Sequence, residues 1–181
     1  AIVPTNGGSV SQTSQGRPLV NIVAPNGAGI SQNRYSQFDV GTQGAALNNN
    51  NSGQSVTLQQ MNAAGQADRA ASNPNLGANA AKVIINQVQS SSASQLRGAL
   101  EVAGQKADVV VANPNGITCN GCGFINSARG VLTTGTVDAS GNLLVNSGTL
   151  NIAGQGLIDF GTPQIDLAAM NILISGKIQG A

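Results

Sequence analysis

Histidine and tryptophan are absent from these 181 residues, aromatic residues make up 2% and charged residues 8%. Each shortage excludes something. Without histidine the chain lacks the commonest general base, the commonest metal ligand and the usual pH switch. Eight Lys and Arg against seven Asp and Glu leave a net charge of +1, with no basic stripe of the kind a nucleic-acid partner needs. Long apolar runs are missing too, and none approaches the roughly 20 residues of a transmembrane helix. The N-terminus, "AIVPTNGGSV", has neither a basic region nor an apolar region of a signal peptide and reads as a mature end.

What is present is equally one-sided. Hydrophobic residues reach 40% and there are 24 glycines. A core with almost no rings must be layered from Val, Ile, Leu and Ala. So few charges predict a surface of Asn, Gln, Ser, Thr and Gly, with many turns. Disordered chains combine low hydrophobicity with high charge, and this chain has neither, so a folded domain is expected.

Short β-type runs recur between Gly, Pro, Asn and Ser. They are Leu19–Val23, Lys82–Ile85, Val109–Val111, Asn142–Val145, Leu150–Ile152, Ile165–Leu167 and Asn171–Ile174. Helical composition is confined to Leu58–Ala71 and a turn near Ser94–Arg97. "LNIAGQGLI" (Leu150–Ile158) aligns with "ILISGKIQG" (Ile172–Gly180), so that Leu150 matches Ile172 and Gly154 matches Gly176 at one constant offset. Short strands at a period in the low twenties point to a solenoid whose coils stack, with Asn, Ser and Thr at corners where their side chains bond to backbone groups. A second echo pairs "VAPNGAGI" (Val23–Ile30) with "ANPNGI" (Ala112–Ile117). Proline sets φ for a turn, Asn and Gly tolerate left-handed backbone, and the residue before proline is held extended. Pro-Asn-Gly therefore reads as a strand-ending corner.

"VVVANPNGITCNGCGFIN" (Val109–Asn126), with "NPNL" at Asn73–Leu76, "IVAPNGAGISQNRYSQFDVGTQGAALNN" (Ile22–Asn49), "LRGALEVAGQKADVVVANPNGI" (Leu96–Ile117) and "GVLTTG" (Gly130–Gly135), resembles the two-partner secretion domain. That domain is the N-terminal part of filamentous haemagglutinins, secreted haemolysins and contact-dependent growth inhibition toxins, and the CxxC pair resembles the growth-inhibition branch. The resemblance implies an all-β, right-handed parallel β-helix with an N-terminal cap and small extra-helical β elements. It implies one domain over residues 1–181, the secretion signal and folding start of a much larger exoprotein. The implied partner is an outer-membrane β-barrel transporter, which recognises the domain through periplasmic POTRA domains after signal-peptide removal. The chain then passes to the cell surface. A target-cell receptor would belong to the rest of the protein, and the domain itself would be a monomer with no nucleic-acid partner. The other reading is an adhesin module that binds a receptor or glycan.

Three groups of residues are candidates. Asn73, Pro74, Asn75 and Leu76, and Asn113, Pro114, Asn115, Gly116 and Ile117, are either read by the transporter or are corners that keep the coils in register. Cys119 and Cys122 are too few for a zinc site in a chain without histidine. Surrounded by β-type runs, they lack the helix N-terminus of a redox CxxC. A disulfide across a tight loop in an exported protein is the expectation, beside a transient thiol pair. Glu101, Asp108, Asp138, Asp159 and Asp166 are isolated along the chain. They show neither the close pair of a glycosidase nor a calcium motif, so no enzyme, metal or cofactor is expected. Tyr35 and Phe38 are expected in packing.

Overall fold

The computed structural model describes residues 1–179. Strands β1 (Ile2–Pro4) and β2 (Ser9–Gln12) come first, then β3 (Pro18–Asn21), β4 (Ile30–Phe38) and β5 (Ala45–Asn49). A hairpin of β6 (Val56–Met61) and β7 (Ala67–Ala70) follows, then β8 (Val83–Val88), β9 (Ser94–Leu96) and β10 (Ala99–Gly104). The next turn of chain is β11 (Asp108–Ala112), β12 (Ile117–Cys119) and β13 (Gly123–Ile125). After β14 (Arg129–Thr133) a second hairpin, β15 (Thr136–Val137) and β16 (Leu143–Leu144), precedes β17 (Thr149–Ile152) and β18 (Leu157–Ile158). The described chain ends with β19 (Gln164–Ala168), β20 (Asn171–Ile174) and β21 (Ile178–Gln179).

These strands stack into three faces. The first runs β1-β4-β8-β11-β14-β19, the second β13-β10-β5-β3-β2 and the third β20-β17-β12-β9. From β3 onward every pairing within a face is parallel, so the chain is a parallel β-helix, wound in the right-handed sense of parallel crossovers. Only β1 and β2 lie antiparallel, on β4 and β3, and they cover the N-terminal end.

Aliphatic residues in register build the core. Ile84, Val109 and Ile165 line one inward ladder of the first face, and Val111, Leu132 and Leu167 the next. The third face adds Ile117 on Leu150 and Leu96 under Cys119 and Ile152. A fully buried side chain of this kind stabilises by about 1.5–3 kcal/mol over leaving it in water, while Ile165 and Leu167 are half-buried. Tyr35 and Phe38 sit inside the first coil, ring centroids 4.8 Å apart. The Tyr35 hydroxyl donates to Asn86 Oδ1 at 2.7 Å, and burial pushes its pKa far above the usual 10.0.

The repeat holds in part. Leu150–Ile152 pairs with Ile172–Ile174 at the expected offset. Across the corner the offset is one residue shorter, because Leu157 pairs with Ile178. The aligned Gly180 lies outside the described residues. Bare coils differ a little in length, as the step from Val109 to Gly130 and the longer step from Val83 to Asp108 show. Coils carrying a hairpin are much longer. The step from Ile30 to Val83 takes in β6–β7, and the step from Arg129 to Gln164 takes in β15–β16.

Two expectations are corrected. Leu58–Ala71 is not a helix but the β6–β7 hairpin, turned by Asn62, whose carbonyl accepts from Gly65 N–H at 2.9 Å. Leu58 and Ala70 bury against Leu19, Ala46 and Ala103 on the outer side of the second face, and that burial overrides helical propensity. Ser94–Arg97 holds strand β9, fixed by pairing with β12. The corner amides bond to backbone groups as expected, and many of them are buried. Asn33, Asn48, Asn49, Asn50, Asn73, Asn86 and Asn113 are all buried, each hydrogen-bonded as a buried amide must be.

Candidate functional site

The two Asn-Pro-Asn motifs fold alike. Asn113 ends the run of β11, and its Oδ1 accepts the Asn115 N–H at 3.0 Å. Gly116 N–H returns to the Asn113 carbonyl at 3.1 Å. The Asn113 amide donates to Ser92 O at 2.8 Å and Ser94 Oγ at 2.9 Å, in the preceding coil. Its backbone N–H donates to Thr133 O in the following coil at 2.9 Å. One buried side chain and its backbone thus tie three coils. Gly116 has φ +111°, and a Cβ there would come 3.2 Å from Thr149 O. Ile117 then starts β12 and buries its side chain.

At the other motif Asn73 Oδ1 accepts from Asn75 N–H at 3.0 Å. The Asn73 amide donates to Ile22 O at 3.0 Å and Asn48 O at 2.9 Å. Leu76 fills the core where the first motif has glycine. Pro74, Asn75 and Asn115 are exposed and Pro114 half-buried. Asn75 still donates to Ile22 O at 3.2 Å and Asn115 to Ser90 O at 2.5 Å.

The motifs do not converge. Asn73–Leu76 stands on the approach to the first face, before β8, and Asn113–Ile117 on its exit, between β11 and β12. Pro25–Gly27 is not the structural twin of Pro114–Gly116. Its strand has ended at Asn21, and the turn begins two residues late, with Gly29 N–H donating to Asn26 O at 2.9 Å. The side chain of Asn26 accepts from Ala28 and Ile30 N–H, the part Asn113 plays in its own motif. The residue before proline makes the difference: Ala24 has no side-chain oxygen to start the turn.

Cys119 and Cys122 are joined by a disulfide, with Cα atoms 5.3 Å apart. Both are buried. The bond bridges the corner between the third face and the second, over Leu96 and beneath Ile152 and Leu157. Asn120 N–H donates to Leu96 O at 2.8 Å, and Gly121 N–H to Gly156 O at 2.7 Å. The corner is therefore stitched to the coils on both sides.

The sequence reading missed the anchors of the two hairpins. Arg17 and Asp68, both buried, pair at 2.8 Å. Arg17 also donates from Nε to Gln43 O and from Nη2 to Met61 O, at 2.5 Å each. Glu101, buried on the outer side of the second face, accepts Gln59 N–H at 2.6 Å and Gln60 N–H at 3.1 Å. The other hairpin sits on the first face, where Val137 packs on Ile85 and Ala112 and Gln87 Oε1 accepts its N–H at 2.8 Å. A signal for Glu101 existed: it is the one glutamate in the chain, set among apolar residues. Among the described residues no group of three or more His, Cys, Asp or Glu side chains could hold a metal ion.

The TPS secretion domain profile matches residues 2–181. The chain is 43% identical over 174 residues to "Toxin CdiA" of Yersinia pestis, covering 94% of this chain and 5% of that protein. It is 45% identical over 162 residues to "tRNA nuclease CdiA" of Escherichia coli strain STEC_O31, covering 86% and 5%. To "Hemolysin" of Serratia marcescens it is 41% identical over 173 residues, covering 89% and 10%. Among solved structures it is similar to the filamentous hemagglutinin secretion domain, with TM-score 0.84 and 35% identity, covering 99% of this chain and 60% of that one. The chain thus spans a small fraction of these toxins and of the haemolysin.

Proposed function

The chain belongs to the TPS secretion domain family, and on that premise we propose that it begins both the export and the folding of a much longer secreted protein. It is a secretion domain of the kind found in CdiA toxins, haemolysins and filamentous haemagglutinin. The partner in this reading is the family's outer-membrane transporter, whose POTRA domains receive the chain in the periplasm before it emerges at the cell surface.

The observation that carries the folding half is the difference between the two ends. Antiparallel β1 and β2 close the N-terminal end. At the other end Ile172, Leu173, Ile174 and Ile178 are 43%, 59%, 56% and 52% exposed. A stack closed at one end and open at the other grows in one direction, each coil offering the next its edge. The Asn113 and Asn73 corners fix the register of the first coils.

Catalysis has no place in this reading. Asp68 is bound by Arg17, Asp166 by Arg129 and Glu101 by two backbone N–H groups, so these carboxylates are committed to structure. In this reading any toxic or nuclease activity belongs to other parts of the longer protein. A second reading, a surface that binds a cell-surface glycan, has one observation in its favour, the amide-lined groove beside β6–β7.

Substituting Asn115→Ala with Gly116→Ala in the full-length protein, co-produced with its transporter, tests the export reading. A non-glycine residue in left-handed backbone costs about 1–3 kcal/mol, and the bond to Ser90 is lost. The secreted yield should fall several-fold. Normal yield with a normal fold would overturn the role of the corner. Failure of the unfolded domain to bind isolated POTRA domains would overturn the partner.

A further inference from the structure

A groove of about 940 Å³ lies where the β6–β7 hairpin overhangs the disulfide corner. Gln59, Gln60 and Met61 form one wall, and Ile125 and Ile158 the floor. The far rim is Arg97, Asn120, Gln155 and Phe160. No carboxylate lines it. Arg17, at its back, is neutralised by Asp68. Arg97 is exposed, and its guanidinium makes no hydrogen bond or ion pair among the described residues. The groove therefore carries one uncompensated positive charge.

Most of the remaining polar lining is amide. The side chains of Gln43, Gln59 and Gln155 and the NH₂ of Asn120 are without partners among the described residues, so donors and acceptors are both on offer. Phe160 is 39% exposed. One side of its ring lies against the backbone of Gly123, where a Cβ would collide with the ring carbons. Phe160 also lines the groove, where it is the one aromatic side chain.

We propose that this groove binds an acidic oligosaccharide, one bearing a uronate or sialate carboxylate. The C–H face of a sugar ring stacks on Phe160, the hydroxyls exchange hydrogen bonds with the amides, and the carboxylate meets Arg97. An extended peptide fits less well. Strand addition needs a free backbone edge, and the Gln59 and Gln60 N–H groups of β6 are already held by Glu101. The site is independent of the secretion reading, because it exists only once the domain has folded.

The test is NMR titration of the folded 181-residue domain with trigalacturonate, its methyl ester, sialyllactose, lactose and an aspartate-rich peptide. Trigalacturonate or sialyllactose should shift the signals of Arg97, Asn120 and Phe160, and which of the two does so identifies the sugar acid. Arg97→Gln and Phe160→Ala, both at exposed positions, should each weaken binding about tenfold with an unchanged melting temperature. Three results would overturn the proposal. One is equal binding of the methyl ester or lactose. Another is stronger shifts of the same signals by the peptide. The third is no shift with either acid at millimolar concentration.

Discussion

Arg17 and Asp68 are the two charges the fold treats most expensively, and they meet across 51 residues of chain. Burial by itself pushes the Asp68 carboxyl up. Hydrogen bonds from Thr13, Arg17, Gln15 and Ser14 outweigh it and hold the group below its usual 3.8. A depressed carboxylate contributes stability that is complete above the unfolded pKa and is lost as pH falls through the folded one. The β6–β7 anchor should therefore weaken only below pH 3.8. Asp68→Asn, which leaves Arg17 buried and unpaired, should cost about 3–5 kcal/mol at neutral pH and flatten the acid limb. Urea midpoints measured across the acid range check both; an unchanged acid limb in the variant would assign that limb to other groups. None of this was legible in the sequence, where the carboxylates stand isolated and their partners are set by the winding of the chain. The asparagines were legible in part: a solenoid's corners call for amides to satisfy backbone groups that no ladder reaches, but the depth of their burial follows from the stacking of the coils.

Among the strands, those with aliphatic runs between turn residues were readable. Val109–Val111, Leu150–Ile152 and Asn171–Ile174 all fall within β-strands at those positions. Strand β9 and the β6–β7 hairpin were not, because Ser94–Leu96 and Leu58–Ala70 take their shape from neighbouring coils rather than from local pattern. The Asn-Pro-Asn-Gly corner was legible as a turn, but its likeness to Pro25–Gly27 was one of letters only. The disulfide corner has its own expectation. Cys119 and Cys122 enclose so short a loop that the bond removes little chain entropy, about 2 kcal/mol or less. Reduction should lower the unfolding free energy from urea titration by that amount and leave the β-type circular dichroism intact. Replacing both cysteines by alanine should cost more, since Cys119 also fills the ladder between Leu96 and Ile152. If reduction unfolds the domain, the bond holds more than this corner.

Across the whole molecule, the short repeat was visible only where no hairpin interrupts it, between β17 and β20. Elsewhere the inserted β6–β7 and β15–β16 stretch the interval, from Ile30 to Val83 and from Arg129 to Gln164, which hides the repeat from any search at a fixed spacing. Nearly every strand of the helix pairs with a strand one coil away, so folding waits on distant contacts and should be slow for the size of the chain. The same arrangement gives the domain a tensile character. Pulled by its C-terminal end, the coil with the open edge is held on one side only and should peel first. Each bare coil then frees about 75 Å of extended chain, and the two hairpin-bearing coils correspondingly longer lengths. Single-molecule force–extension curves should show a ladder of such steps, with the last and largest release at the clamp of Arg17 on Asp68; one abrupt rip would mean that the coils share their load.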